Sequence, residues 1–222
     1  REFTLAQLRP LVEEVTEDRL FEIVEEALAS RVIEELPQSV GSYQFTHALI
    51  QETLSSELSL TRKGRLHAQI AQALEDLYGD EAESHAAELA HHFGQAEAVA
   101  GTEKLVRYSL LAGERALASS AYEDALAHFG RGLAARGIAL SGTVAARDEE
   151  AAALLFGHGR AQSLTGGAHQ LVEAFASLSR AFEYYFESGD VAQAVAAAEF
   201  QIAPTAQRIQ GAAELIARAL TL

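Results

Sequence analysis

From residue 4 onward the apolar positions recur at helical spacing, then alternate, then return to helical spacing. Leu5, Leu8 and Leu11 or Val12 predict a short helix over 4–14, weakened in its second half by Pro10, which lacks an N–H. A second helix follows from Thr16, whose hydroxyl can cap it, with Glu17 and Asp18 in the first turn where the helix dipole favours acids. Its inward stripe is Leu20, Ile23 or Val24, Ala27 and Leu28. Residues 32–36 (VIEEL) and 43–46 (YQFT) read as short strands, and Pro37, Gln38, Ser39 and Gly41 between them predict a turn. Within YQFTHALIQETL the strand rhythm passes to a helix carrying Ala48, Leu49, Leu54 and Leu58. His47 stands at that joint and is expected to be structural, bonding backbone groups freed where the strand ends.

Beyond residue 58 no strand signal survives. Leu66, Ile70, Ala73, Leu74 and Leu77 form one stripe, ended by Gly79. Ala86, Leu89, Ala90 and Phe93 form the next, and Leu105, Tyr108, Leu111 or Ala112, and Ala116 a third. Further helices are predicted over 122–135, 149–164, 170–186, 191–202 and 212–220, with Pro204 stopping the fourth of these five. Three segments share one pattern: YEDALAHFGRGL (122–133), LVEAFASLSRAF (171–182) and QGAAELIARAL (210–220). Each places a small residue, a large one four later, a small one three later and then a large one. These are Ala125, Phe129, Gly132 and Leu133, then Ala174, Leu178, Ala181 and Phe182, then Ala212, Ile216, Ala219 and Leu220. Gly113 and Gly159 lie inside helices, where Gly costs about 1 kcal/mol relative to Ala, so close helix contact is expected at both. The skeleton resembles tetratricopeptide repeats without their fixed period. Residues 137–148, GIALSGTVAARD, read as a loop inserted between the first two repeats.

Composition narrows the chemistry. Apolar residues make up 49% of 222, enough for a folded core. No apolar run approaches the ~18 residues that suggest a membrane helix, and no secretory leader is visible. Cys is absent, which excludes disulfides and thiolate chemistry and fits a cytoplasmic protein. Met is absent too and residue 1 is Arg, as expected of a piece of a longer protein. The net charge of −15 opposes nucleic-acid binding, and residues 1–58 hold 4 Lys or Arg against 12 Asp or Glu. The helix predicted after Thr16 presents Glu17, Asp18, Glu22, Glu25 and Glu26 against Arg19, so phosphates would be repelled.

The succession FTHALIQETL, LTRKGRLHAQIAQALEDLYG, HAAELAHHF and KLVRYSLLAGERALASSAYEDALAHF is more specific. It resembles the region that follows the nucleotide-binding module in bacterial multidomain signal-transducing ATPases, among them large LuxR-type transcriptional regulators and ATPase-containing adenylate cyclases. The resemblance covers nearly the whole chain, most strongly residues 43–135. It implies a mostly α fold: a small winged-helix-like domain over 1–58, followed over 59–222 by an irregular tetratricopeptide-like array, an α-solenoid. The family's winged helix usually begins with one more helix than this sequence holds. The implied role is a non-catalytic regulatory, sensing and protein-interaction arm. Its partners would be an upstream ATPase domain and a protein, peptide or small-molecule effector, with no direct nucleic-acid contact and no membrane. The leading expectation is a transcriptional regulator; a cyclase regulatory region and a stand-alone scaffold are the alternatives. The GxxxxGK[ST] phosphate loop does not occur, so no nucleotide cofactor is expected in this piece.

Candidate sites are few. His85, Glu88, His91 and His92 in SHAAELAHHF invite a metal reading, with His85, Glu88 and His92 on one helical face. They lack the HExxH order, so capping and packing is the expected role, and neither a metal site nor a catalytic residue is expected. Arg62, Lys63 and Arg65 form a basic cluster that could dock onto an acidic or nucleotide-bearing neighbour. In a solenoid the first helices of successive pairs line the binding groove. By that register Glu114, Phe156 and Arg160 face it, while Tyr184 falls off the stripe of Leu171, Phe175, Leu178, Phe182 and Tyr185 and is expected to be exposed.

Overall fold

The alternating stretch pairs as a hairpin: β2 (Ile33–Glu35) and β3 (Ser42–Phe45) run antiparallel, Ile33 opposite Phe45 and Glu35 opposite Tyr43. The computed structural model describes residues 2–12, 15–37, 39–165, 168–199 and 212–221. It is mostly helical, with one small three-stranded sheet. Contacts divide the chain into two units, Arg1–Ala82 with His91–Gly101, and Glu83–Ala90 with Thr102–Leu222.

In the first unit a third strand, β1 (Glu2–Thr4), pairs with the other edge of β3 and places Phe3 opposite Tyr43. The expected helix over 4–14 is correspondingly shorter. Thr4 and Gln7 form a reciprocal capping box at the start of α1 (Leu5–Leu8). The chain then tightens into a 3₁₀ turn, Arg9–Leu11, with Pro10 near its start. The physical reason lies in the sheet. The Phe3 ring sits 5.8 Å from Tyr43 and 6.3 Å from Phe45, and such cross-strand aromatic contacts stabilise a short edge strand. Thr16 caps α2 (Glu17–Ala29) by accepting from the Arg19 amide at 3.4 Å. Leu20 and Val24 of α2 join Ile33 and Tyr43 in a buried core, whereas Ile23 is 42% exposed.

His47 occupies the N-cap of α3 (Ala48–Ser56), yet its side chain makes no capping bond, contrary to expectation. No residue of α3 is buried, and Leu49 and Leu54 are exposed. Ser59 caps α4 (Leu60–Tyr78), and Gly79 ends it with a φ of 49° that L side chains rarely adopt. The deepest face of α4 is Gly64, Ala71 and Leu74; Leu66 and Ile70 are half-buried and Leu77 is exposed. A 3₁₀ turn, Gly79–His85, leads into α5 (Ala86–Gln95), which buries Ala86, Leu89, Ala90 and Phe93 as its spacing predicts. A single turn, α6 (Glu97–Ala100), follows.

The second unit is built from α7 (Glu103–Ala118), α8 (Tyr122–Ala135), α9 (Glu149–Leu164), α10 (Ala168–Ser188), α11 (Val191–Glu199) and α12 (Ala212–Ala219). Each packs on the next in chain order, and α7 also meets α9. The first two repeat segments bury all the residues their pattern singles out: Ala125, Phe129, Gly132 and Leu133, and Ala174, Leu178, Ala181 and Phe182. The third is out of register. Leu215 is buried, Ile216 is intermediate and Leu220 is 84% exposed. Arg218 explains the rotation. It forms a two-pronged ion pair with Glu183 at 2.6 and 2.8 Å and lies over the Phe186 ring at 4.6 Å. Pro204 and the end of the helix predicted over 191–202 fall outside the described residues.

Glycine sets the helix spacing here. A Cβ on Gly113 of α7 would stand 2.6 Å from the Phe129 ring, and one on Gly157 of α9 only 2.3 Å from it. Gly132 and Gly159 make room for Leu154 and Leu178 in the same way, each at 2.7 Å. The expectation for Gly113 and Gly159 holds, and Gly157 and Gly132 act alike. No helix among the described residues is long and apolar enough to cross a membrane.

Candidate functional site

Helices α7 and α9 bring three of the expected groove residues together. Arg160 donates to both carboxylate oxygens of Glu114 at 3.1 Å, across 46 residues of sequence. Its guanidinium also lies over the Phe156 ring, 5.2 Å from the centroid. Phe156 is 8% exposed, so it forms the floor of this site rather than its rim. The ring meets Tyr185 of α10 edge-on at 6.3 Å, and Tyr185 meets Tyr184 at 5.7 Å. Tyr184 is therefore packed and half-buried, not exposed as its spacing suggested; the aromatic ladder draws it in. Burial, reinforced by Asp190 and Glu149, pushes the Tyr185 hydroxyl up to about 12.

Elsewhere on α9 lies a polar group that the sequence pattern does not flag. Gln162 donates to Glu173 of α10 at 2.6 Å, while its own Oε1 is buried with no partner among the described residues. His158 is 6% exposed and its Nδ1 is likewise unpartnered. Burial lowers the affinity of His158 for a proton, and Glu173 offsets this in part. A buried histidine flanked by Gly157 and Gly159 could have been suspected from the sequence; Gln162 could not.

The histidine motif is dismantled by the fold. His85 ends the 3₁₀ turn and is not on α5, so the presumed single helical face does not form. Among the described residues no group of three His, Asp or Glu side chains could hold a metal ion. Instead His92 pairs through Nδ1 with Nδ1 of His67 at 3.0 Å, and the His91 ring meets His67 at 6.0 Å. Arg62, Lys63 and Arg65 lie in the first two turns of α4, and none forms an ion pair among the described residues. A helix N-terminus repels cations, so their position is electrostatically unfavourable for α4 alone.

Among the described residues, His67, His128 and His158 have depressed proton affinity. Burial does this to His67, with His91 adding repulsion. It does so to His128, where Arg131 lowers further and Asp124 raises, and to His158. Each binds a proton less readily in the fold than once unfolded, where the ordinary value is near 6.5. The unfolded chain therefore binds more protons below that value, and the stability these groups contribute is complete above pH 6.5 and lost as pH falls beneath it. Unfolding free energies from urea titrations are expected to drop between pH 7.5 and 5.5, by at most about 1.4 kcal/mol per pH unit for each histidine. The drop should shrink in a His158→Gln variant; a free energy flat across this range would refute the assignment.

The second unit also holds two concave regions. One, of about 540 Å³, is lined by Arg115, Asp124, His128 and small residues of α7, of the turn after it, and at Ser84 and Ala87. The other, of about 330 Å³, lies between the 137–148 segment and Arg180. Fold and site together define a mostly helical chain of packed consecutive helices carrying a small sheet, with an ion pair spanning two helices over an aromatic floor. The chain matches no family model, and no curated protein or solved structure matches it.

Proposed function

We propose that the chain is the non-catalytic regulatory and sensing arm of a bacterial signal-transducing ATPase, a transcriptional regulator of LuxR type. In this reading α7 to α12 form tetratricopeptide-like pairs that receive a protein, peptide or small-molecule effector. The strand, helices and hairpin of the first unit serve as a winged-helix-like cap toward an upstream ATPase domain. The observation that carries the reading is the Glu114–Arg160–Phe156 face. Two helices that each begin a pair contribute one charge apiece to it, above an aromatic floor, which is how solenoids build a recognition surface. The sheet order β1-β3-β2, with α1 and α2 between the first strand and the hairpin, supports a winged-helix-like cap. The unpaired Arg62, Lys63 and Arg65 support docking on an acidic neighbour, as does the exposure of Leu49 and Leu54 on α3.

Signal would pass by population shift, the effector binding one conformation of the whole protein better than the other. In cells expressing the intact gene, deleting the segment that encodes 102–222 is expected to make output independent of stimulus. Unchanged regulation would overturn the reading. The Glu114–Arg160 pair gives a finer test. Because it is partly exposed, neutralising Glu114→Gln and Arg160→Gln should cost under about 1 kcal/mol of stability. The same two variants are expected to abolish the regulated response. A normal response in both would remove this face from the mechanism.

A further inference from the structure

Arg180 of α10 is the most deeply buried cation among the described residues, at 7% exposure. Its Nε donates to the carbonyl of Val144 at 2.7 Å and its Nη1 to the carbonyl of Ala139 at 2.8 Å. No carboxylate pairs with it among the described residues, and only burial perturbs it, lowering its proton affinity. A guanidinium has five N–H donors in a rigid fork. Two carbonyls therefore leave the outer Nη2 edge without a protein partner. Arg180 lines the cleft of about 330 Å³ formed with the 137–148 segment. Burying a cation beside carbonyl dipoles alone is costly, and a counter-anion is the usual remedy.

The surroundings agree in sign. Arg147 lines the same cleft, is exposed and forms no ion pair among the described residues. Arg136 lines it too, but is already satisfied by Asp148 and, at 2.5 Å, by Glu150. In a chain of net charge −15 this is a local excess of guanidinium. Ile138, Val144 and Leu155 supply an apolar wall beside the charged end. The size lies within the ordinary range for small-molecule pockets, whose pattern is an apolar lining with a few placed polar groups.

We infer that the cleft between Arg180 and the 137–148 segment binds a small ligand with an oxyanion head and a short apolar body, the oxyanion meeting the free fork of Arg180 and Arg147. The oxyanion is a carboxylate or a phosphate; both present paired oxygens at the spacing a guanidinium fork matches. The site stands independently of the regulatory reading, since a chain with no part in signalling would bind the anion equally.

The test is a titration of the 222-residue chain with sodium butyrate, with inorganic phosphate, and with sodium chloride as the ionic-strength reference. Binding is read from the Arg180 Nε–H and the 137–147 amide signals by NMR. A saturable shift confined to these signals, absent with chloride, is expected with at least one oxyanion. Tighter butyrate binding assigns a carboxylate ligand, and tighter phosphate binding a phosphoryl ligand. Arg180→Lys keeps the charge but loses the fork, and should weaken binding about tenfold or more. Arg147→Gln, an exposed change that leaves the fold alone, should weaken it a few-fold and guards against misfolding of the first variant. Overturning results are a shift that never saturates, one that chloride reproduces, or one that survives unchanged in both variants.

Discussion

Truncating Phe129 to alanine is expected to lower the unfolding free energy by about 3–5 kcal/mol, read as a shift of the urea midpoint at constant slope. The ring has no exposed surface and belongs to the main core of the second unit. It is inserted from α8 between Gly113 of α7 and Gly157 of α9, so its removal opens a cavity against two other helices at once. Backbone at the two glycines cannot collapse into that space without breaking helical hydrogen bonds, which puts the loss toward the upper end of the range. The mirror-image change is Gly157→Ala. Helix propensity favours alanine by about 1 kcal/mol. The new methyl would nevertheless lie 2.3 Å from a ring gripped on both sides, and overpacking of this kind costs about 1–3 kcal/mol. A net loss is therefore expected, and combining Gly157→Ala with Phe129→Leu should cost less than the two single changes added. Strict additivity, or a loss under about 1 kcal/mol for Phe129→Ala, would mean that the three helices are not locked through this ring.

Arg180→Ala should cost about 2–3 kcal/mol and release the 137–148 segment. The segment contributes little core of its own; Val144 is 67% exposed and Leu140 50%. Its ordering rests on the two carbonyls that Arg180 ties down, on the Ala146 amide donating to the Arg180 carbonyl at 3.3 Å, and on Arg136 clasping Asp148 at its end. Removing the guanidinium leaves the Ala139 and Val144 carbonyls without that donor and takes away the tie between segment and helix. Brief exposure to a protease should then cut within 137–147 many times faster than in the unmodified chain, while helix content by circular dichroism stays close to its original value. Equal cleavage rates would show that the segment holds itself in place. Arg136→Gln probes the other clasp and should have a smaller effect, because its pair is nearer solvent.

Much of the architecture was legible as local periodicity. The hairpin, the helices of the second half and the inward faces of α5, α8 and α10 follow from which residues alternate and which recur every three or four positions. Those patterns need no partner, because a helix or strand face is defined by the chain's own geometry. The errors arose where a distant partner outweighed the local signal. Three residues before α1 became an edge strand because Phe3 found Tyr43 and Phe45. The face of α12 turned to Leu215 where Arg218 bridges to Glu183 and covers Phe186. Tyr184 was drawn inward by its contact with Tyr185.

The candidate sites divide along the same line. By itself the sequence placed Glu114, Phe156 and Arg160 on helix faces that could share a groove, and it marked Gly113 and Gly159 as sites of close approach. Only the tertiary structure decided that Arg160 reaches Glu114, that Gly157 as well as Gly113 admits Phe129, and that Arg180 ends buried against carbonyls 36 and 41 residues away. Helical periodicity reports which way a side chain faces, since that depends on neighbours within a turn or two. What it meets there depends on how the helices stack, and in this chain the stacking is set by glycines whose missing side chains carry no polarity for a sequence pattern to register.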